Sequence, residues 1–252
     1  AATATVNLHG GRAANPERGV AAEGIEAELE FTDLDQVVTK PGTLRVRALR
    51  VGQVALSEID AEVALESALR LSVTRATLKT LGGSVAAEPF KYYFNQRQLD
   101  VVLQAENISV EQVMALTRDL PAKASGRVDG RLPLHLDEGG FRLGTGWLAL
   151  TPGVAAQIQF NAAGLLTSGV APSSPSYSVL KKLETGLLQL KVGEMRLEIR
   201  PPNAPAGRSA QLHVSGEPVD PTVKAPVTLD LNVNGPLEKL LNLGMDSRVS
   251  FK

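Results

Sequence analysis

The sequence predicts a mainly β protein: a long, twisted and curled antiparallel sheet that forms a groove or an open barrel, with two or three short helices. Two observations carry this prediction. Apolar and polar residues alternate with a period of two along most of the chain, which is typical of strands with one buried face. The apolar residues are mainly aliphatic, since hydrophobic residues make up 43% of the 252 residues but aromatic residues only 4%.

The alternating segments predict the individual strands in chain order, each with a polar and often charged face opposite the apolar one. Strands of this kind suit an antiparallel sheet that has one face toward solvent. Gly-containing turns separate many of them, which favours a meander. The apolar positions that define the clearest strands are Leu44, Val46 and Ala48; Leu69, Leu71 and Val73; Leu132, Leu134 and Leu136; Leu212 and Val214; and Val227, Leu229, Leu231 and Val233.

The apolar phase shifts between residues 185 and 200, with Gly193-Glu194 at the point of change. A one-residue shift would carry every later side chain to the other face unless the strand turns or bulges there. The segment therefore predicts a hairpin turn or a β-bulge. The apolar positions are Leu188, Leu190 and Val192 before the shift and Met195, Leu197 and Ile199 after it.

Three short segments interrupt the alternation and predict helices. Ser109 is a suitable N-cap for a helix over residues 110–116. Residues 176–184 follow a stretch rich in proline and serine, and Pro236 stands at the favoured first position of a helix over residues 236–241. These segments are too short to make a helical domain.

The chain is predicted to be one elongated β-rich domain over residues 1–252 and a fragment of a larger protein. The segment most like a linker, residues 201–207, has strands of the same character on both sides. Both ends of the chain alternate like strands, so a signal or membrane anchor is expected upstream of Ala1. No stretch has the eighteen or so apolar residues that a membrane-spanning helix needs.

Charge and cysteine content exclude several classes of function. Basic residues number 26 and acidic residues 27, with no run of like charge, which argues against nucleic acid as a partner. The chain has no cysteine and therefore no thiol nucleophile or thiolate metal site.

No constellation of residues predicts catalysis, so the chain is not expected to be an enzyme or to hold a cofactor. The three histidines, His9, His135 and His213, lie on the polar faces of separate strands, and we predict no metal site. Asp129, Asp137 and Glu138 could form an acid/base pair, but they flank turns among arginines. Serine occurs in no nucleophile elbow, and the Gly-Gly pairs lack the spacing of a phosphate-binding loop.

The apolar face of such a sheet needs a cover. Burial is worth about 25 cal/mol per Å², so an exposed apolar groove requires an occupant, a partner or closure. The alternative is that the two halves of the sheet close on each other as a sandwich or barrel, with the leucines as ordinary core. On the same reasoning Trp147 is expected to anchor the core, and Tyr92-Tyr93-Phe94 to be a covered edge rather than a lipid gate.

The most specific motif in the chain is Gly126-Arg127-Val128-Asp129-Gly130-Arg131-Leu132-Pro133-Leu134. It stands in an ordered set with Leu81-Gly82-Gly83, Glu88-Pro89-Phe90, residues 103–116, Leu150-Thr151-Pro152-Gly153, residues 214–218 and Asn234-Gly235-Pro236-Leu237. From about residue 20 onward this set resembles the C-terminal region of YdbH-like proteins, members of the AsmA/TamB-type superfamily of bridge-like envelope proteins.

The resemblance implies a periplasmic β-groove whose apolar interior holds the acyl chains of phospholipids moving between the inner and outer membranes. The family is also labelled a dicarboxylate transport domain, which would require a positively charged pocket. The sequence has no local cluster of arginines in a pattern that predicts burial, and its apolar strand faces fit acyl chains better than carboxylates. The residues expected to contact lipid, on apolar strand faces, are Leu132, Leu134, Leu136, Leu143, Leu188, Leu190, Leu197, Leu229 and Leu231.

The resemblance also implies a partner. The C-terminal end of the family is associated with a small outer-membrane lipoprotein, which is expected to bind by strand addition to an open sheet edge. In this sequence that edge would lie near Val249 and Phe251.

Overall fold

The computed structural model describes residues 2–96, 98–116, 122–137, 140–160, 167–200, 208–221, 223 and 226–234. Two α-helices occur in this part of the chain, α1 (Val110–Ala115) and α2 (Tyr177–Leu188), together with a 3-10 turn at Pro16–Arg18. The strands are β1 (Ala4–Asn15), β2 (Val20–Asp33), β3 (Val38–Thr39), β4 (Gly42–Val51), β5 (Val54–Ser67), β6 (Arg70–Thr80), β7 (Gly83–Ala87), β8 (Phe90–Tyr93), β9 (Leu99–Ser109), β10 (Ala122–Ser125), β11 (Arg127–Asp137), β12 (Gly140–Leu143), β13 (Gly146–Leu150), β14 (Ala156–Phe160), β15 (Gln189–Ile199), β16 (Arg208–Pro218) and β17 (Val227–Asn234).

All seventeen strands belong to one antiparallel sheet that is not closed into a barrel within the described residues. The chain crosses it as a meander from β1 to β17. Short strands share rows: β7 and β8 both pair with β6, β12 and β13 both pair with β11, and β13 and β14 both pair with β15. The predicted fold class, a mainly β protein with a large open antiparallel sheet and short helices, is confirmed.

The pairing register places the alternating apolar residues of successive strands on one face. Residues directly opposite each other in an antiparallel pair project to the same side. Val63 of β5 is opposite Val73 of β6, and Leu132 of β11 is opposite Leu103 of β9. The same relation links Leu148 of β13 to Leu197 of β15. We call this side of the sheet the inner face and the opposite side the outer face.

Several strands carry a β-bulge, and the irregular positions of β1, β2 and β5 lie side by side in the register of the sheet. Register shifts occur in β1 before Gly11, in β5 at Glu58, in β9 at Asn107 and in β15 at Gly193. Gly10, Glu58 and Asn107 have positive φ, as does Gly24 of β2. A bulge bends its strand and increases its twist. Together these bulges form a crease, along which the sheet bends and twists.

The bulge in β15 resolves the alternatives at Gly193-Glu194. Strand β15 continues unbroken from Gln189 to Ile199, and its register with β16 shifts between Val192 and Glu194. The segment is a bulge and not a hairpin. Because the bulge compensates the change of phase, Leu190 and Leu197 remain on the inner face.

The two helices within the described residues agree with two of the three predicted. Ser109 caps α1, since its hydroxyl oxygen accepts a hydrogen bond from the backbone N–H of Gln112 at 3.3 Å. The second helix is longer than predicted and ends at Leu188 instead of residue 184. The prediction that Leu188 lies on a strand face is therefore wrong. The predicted helix over 236–241 and the linker-like segment 201–207 lie outside the described residues.

Candidate functional site

The inner face is apolar from β1 to β17. Among the described strand side chains that project to it, Asp33 at the end of β2 is the one charged group. Asp33 is engaged by its own turn, because its Oδ1 accepts hydrogen bonds from the backbone N–H groups of Asp35 and Gln36 at 2.9 and 3.1 Å. Each row contributes apolar positions, for example Leu29 in β2, Val46 in β4, Ala61 in β5, Val85 in β7, Val101 in β9, Leu134 in β11, Leu148 in β13, Leu197 in β15, Leu212 in β16 and Leu229 in β17.

The outer face carries the charges, arranged as pairs between neighbouring strands. The Asp60 carboxylate forms ion pairs with the guanidinium groups of Arg45 and Arg75, at 3.0 and 2.8 Å. The Glu88 carboxylate forms one with Arg131 at 3.2 Å. His135 lies 2.5 Å from Asp100. Exposed pairs of this kind contribute at most about 1 kcal/mol each. Their consequence is orientation, since they hold the charged side of the sheet toward solvent and leave the apolar side facing inward.

Burial on the inner face is incomplete. Leu132, Leu134 and Leu136 are half-buried, and Leu231 remains 44% exposed. Val6 and Leu8 of β1 are 47% and 43% exposed. Leucine in an ordinary closed core would be almost fully buried. The face is thus lined by apolar side chains that the described part of the chain covers only in part.

Three clusters of buried residues lie along the sheet. One joins β5 and β6 around Val63 and Val73, and another joins β14 to β16 around Ile158 and Val214. The middle cluster contains Val128, which is 3% exposed, and Val110 of α1. Because Val113 and Met114 of α1 pack against this cluster, the helix fills the crease between β7 and β13.

The motif at residues 126–134 builds the wall beneath α1. The Nη1 of Arg127 donates to the carbonyl oxygens of Gly82 and Asn107 at 2.6 and 3.0 Å. Asp129 accepts from the backbone N–H of Asn107, and Val128 is in the core. A Cβ on Gly130 would collide with the carbonyl oxygen of Trp147. The first half of the motif is therefore structural, and its last residues, Leu132 and Leu134, supply the inner face.

The structure distributes the predicted contact residues over two regions of the inner face. Leu132, Leu134, Leu136 and Leu143 form one group, since Leu134 is opposite Leu143 in the β11–β12 pair. The other group lies on β15 to β17 and comprises Leu190, Leu197, Leu229 and Leu231. Leu190 is 0% exposed and belongs to the core, so it cannot touch a bound ligand without rearrangement. Leu188 is the last residue of α2.

Two aromatic predictions are wrong. Trp147 does not anchor the core: it lies on the outer face opposite Glu198, half-buried, with the Arg196 guanidinium 5.3 Å from its ring centre. Phe94 is not covered, since 47% of it is exposed. Its ring stands edge-on to Tyr92, with 5.2 Å between the ring centres.

The apolar side of β9 was not among the predicted contact residues. Leu99, Val101, Leu103 and Ala105 alternate up to the bulge at Asn107, and each is opposite an inner-face position of β11 or β7. The alternation was present in the sequence. The predicted partner residues Val249 and Phe251 lie outside the described residues.

Two paired groups of the outer face have shifted pKa values. The hydrogen bond with Asp230, at 2.8 Å from Nδ1, raises the pKa of His213 above its ordinary value of 6.5. The hydrogen bond from Lys91 lowers the pKa of Glu66 below 4.5. In the part of the chain that the structure describes, no three acidic or histidine side chains lie close enough together to hold a metal ion.

Comparison with protein families decides the identity. The family model described as YdbH-like, intermembrane phospholipid transport protein YdbH, matches residues 4–154, well over half of the chain. The chain belongs to the YdbH-like family. The matched residues include the 126–134 motif and α1, whereas the resembling segments after residue 154 fall outside the match. No curated protein and no solved structure matches the chain.

Membership of the YdbH-like family indicates which class of ligand to consider for the inner face. The family is one of intermembrane phospholipid transport in the cell envelope. None of the helices in the described ranges is both long and apolar enough to traverse a bilayer. Among the described strand residues no cationic side chain projects to the inner face, and a carboxylate taken out of water needs a paired cation. The described inner face therefore lacks the positively charged pocket that a dicarboxylate would require.

Proposed function

We propose that this YdbH-like chain holds phospholipid acyl chains against its inner face and so helps lipid to move between the inner and outer membranes. The observation that carries the proposal is the continuity of an apolar face from β1 to β17, on which Asp33 is the one charged side chain among the described strand residues. An acyl chain placed there would exchange water for aliphatic side chains, at about 25 cal/mol per Å² of apolar surface removed from water.

The size of the sheet supports a track rather than a single pocket. Neighbouring strands are about 4.8 Å apart, so the rows from β1 to β17 extend on the order of 50 Å. One acyl chain spans about 15 Å, half of the ~30 Å hydrocarbon core of a bilayer. The inner face is therefore long enough for a lipid to occupy successive positions along it.

The proposal assigns the contacts to inner-face leucines that keep some exposure. These are Leu132, Leu134, Leu136, Leu143, Leu197, Leu229 and Leu231. A carrier between two membranes must work in the space between them, so we place the chain in the periplasm. We also propose that residues 1–252 act as one elongated unit without enzymatic activity, and that a small outer-membrane lipoprotein adds a strand near Val249 and Phe251.

The alternative is a scaffold segment of an envelope assembly with a closed apolar core. It requires inner-face leucines that are fully buried by the protein itself. The half-buried Leu134 and the exposed Leu231 favour the lipid-holding function over this alternative.

The experiment that tests the proposal is native mass spectrometry of the purified chain, followed by organic extraction and identification of bound lipid. Leu231→Glu introduces a charge on the inner face at a position that is already exposed, so folding should survive. Asn232→Glu places the same charge on the outer face of the same strand and is the matched control.

We expect phospholipid to accompany the wild-type chain and the Asn232→Glu variant, and its amount to fall several-fold in Leu231→Glu. A chain that carries no phospholipid and does not bind an added fluorescent phospholipid would support the scaffold function. Equal amounts of bound phospholipid in the two variants would show that β17 does not contact the lipid.

A further inference from the structure

Two exposed apolar side chains stand side by side at the rim of the inner face. Leu69 lies in the turn before β6 and is 52% exposed, and Phe94 follows β8 and is 47% exposed. Their backbones are joined, since the N–H of Phe94 donates to the carbonyl oxygen of Leu69 at 3.0 Å. Two large apolar side chains exposed next to each other form an apolar patch, and such patches mark sites of interaction with a ligand, a protein or a membrane.

The patch is continuous with the inner face. Val73 is opposite Phe90, and Leu71 is opposite Tyr92, so these four side chains project inward from β6 and β8. The edge-on contact with Tyr92 places the Phe94 ring at the end of this row. An acyl chain could therefore pass from Phe94 to Tyr92 and on to Phe90 without crossing a charged group.

The helix α1 directs a ligand toward this rim. It fills the crease, where Ala105, Ile108 and Val128 are at most 5% exposed and cannot touch a ligand. The other end of the β9–β11 pair is less covered, because Leu99 and Leu136, which lie opposite each other there, are only half-buried. A lipid at the middle of the sheet would thus lie toward the rim that carries Phe94.

The charges behind the patch suit a phospholipid. Arg70 and Lys91 both pair with Glu66, at 2.7 and 2.8 Å, which leaves one net positive charge on the outer side of the rim. A phosphate group outside the rim would meet this charge while its acyl chain lies inside. A purely apolar ligand would leave this charge unused.

We propose that Leu69 and Phe94 form a lateral lip over which phospholipid acyl chains enter and leave the inner face. The inference rests on the proposed function, since it requires that the inner face holds lipid. It adds a route: lipid reaches the face from the side at β6 and β8, and not only at the two ends of the sheet.

Photo-crosslinking tests whether lipid contacts the lip. The full chain with Phe94→p-benzoylphenylalanine is irradiated with vesicles of phosphatidylethanolamine and phosphatidylglycerol, and crosslinked products are identified by mass spectrometry. Val179→p-benzoylphenylalanine is the control, because Val179 is 59% exposed but lies on α2. We expect lipid adducts at position 94 to exceed those at position 179 several-fold. Equal yields, or adducts at position 94 with a second copy of the chain instead of lipid, would overturn the proposal.

A kinetic measurement separates a route from a holding site. In the Leu69→Ser, Phe94→Ser double variant we expect fluorescent phospholipid to load from the same vesicles several-fold more slowly, with an unchanged amount bound at equilibrium. Val179→Ser should load like wild type. A wild-type loading rate in the double variant, or a loss of bound lipid at equilibrium, would disprove the lip. Absence of loading by the wild-type chain would instead disprove the proposed function.

Discussion

The backbone N–H of Asn107 donates a 2.7 Å hydrogen bond to the Oδ1 of Asp129 across the β9–β11 pair. Asn107 has a φ of 56°, a left-handed conformation that L residues rarely adopt, although asparagine tolerates it better than most. The carboxylate satisfies the amide that the bulge leaves without a ladder partner. One acidic residue of the 126–134 motif thereby holds the bulge on which α1 rests.

Replacing this carboxylate should loosen the bulge. A hydrogen bond to a charged group contributes about 1.5 to 3 kcal/mol, and the pair is open to solvent, so we expect Asp129→Ala to lower the free energy of unfolding by about 1 to 2 kcal/mol. Urea denaturation measures the change. Asp100→Ala, which removes a comparable surface carboxylate from His135, should cost less than about 1 kcal/mol. Equal losses in the two variants would contradict a special role for Asp129.

Two strand glycines should respond in opposite ways to alanine. A Cβ on Gly130 would collide with the backbone of Trp147 on β13, so Gly130→Ala should destabilise the fold by about 1 to 3 kcal/mol. A Cβ on Gly193 would come no closer than 3.8 Å to its nearest neighbour, the carbonyl oxygen of Ser215. Gly193→Ala should therefore be neutral or stabilise the fold by up to about 1 kcal/mol. Thermal unfolding compares them, and a larger loss at Gly193 would count against this packing.

Leu190 and Leu231 should separate stability from ligand contact. Leu190 is 0% exposed, so Leu190→Ala should lower the free energy of unfolding by about 2 to 5 kcal/mol, as for other buried leucines. Leu231 is 44% exposed, and Leu231→Ala should change that free energy by less than about 1 kcal/mol. We expect Leu231→Ala nevertheless to weaken binding of a fluorescent phospholipid. Unchanged binding, or a large loss of stability, would exclude Leu231 as a contact.

Much of the fold follows from local pattern. Period-two alternation identifies the strands and their apolar side, because only one face of an open sheet can be buried. The cap at Ser109 is an equally local feature and is confirmed, and of the two alternatives predicted at Gly193-Glu194, a hairpin turn or a bulge, the structure has the bulge. The crease could not be predicted in the same way. The same change of phase occurs near Gly24, Glu58 and Asn107, but how the bulges of different strands lie relative to one another depends on the pairing between strands.

The errors have physical causes of three kinds. Leu188 continues a strand-like alternation but also completes an amphipathic helix, and the helix prevails. Tryptophan is more often a core residue than a ligand contact, but the alternation of Trp147 with Leu148 and Leu150 places it on the outer face. The exposure of Phe94 is not a local property, because it depends on where β8 ends and on what covers the rim. The candidate site shares this limit, since sequence shows which residues are apolar but not which the protein itself buries.

The link between β16 and β17 should depend on pH through His213 and Asp230. Because hydrogen bonding with Asp230 raises the pKa of His213 in the folded chain, the pair stabilises the fold fully below the ordinary value of 6.5. That contribution is lost as the pH rises through the folded pKa. Urea denaturation at about pH 5.5 and about pH 8.5, on either side of the histidine range, should show a larger difference between wild type and Asp230→Asn at the lower pH. The His213 ring should also titrate at a lower pH in Asp230→Asn, as followed by NMR. A difference in stability that is the same at both pH values would rule out an ionic contribution from this pair.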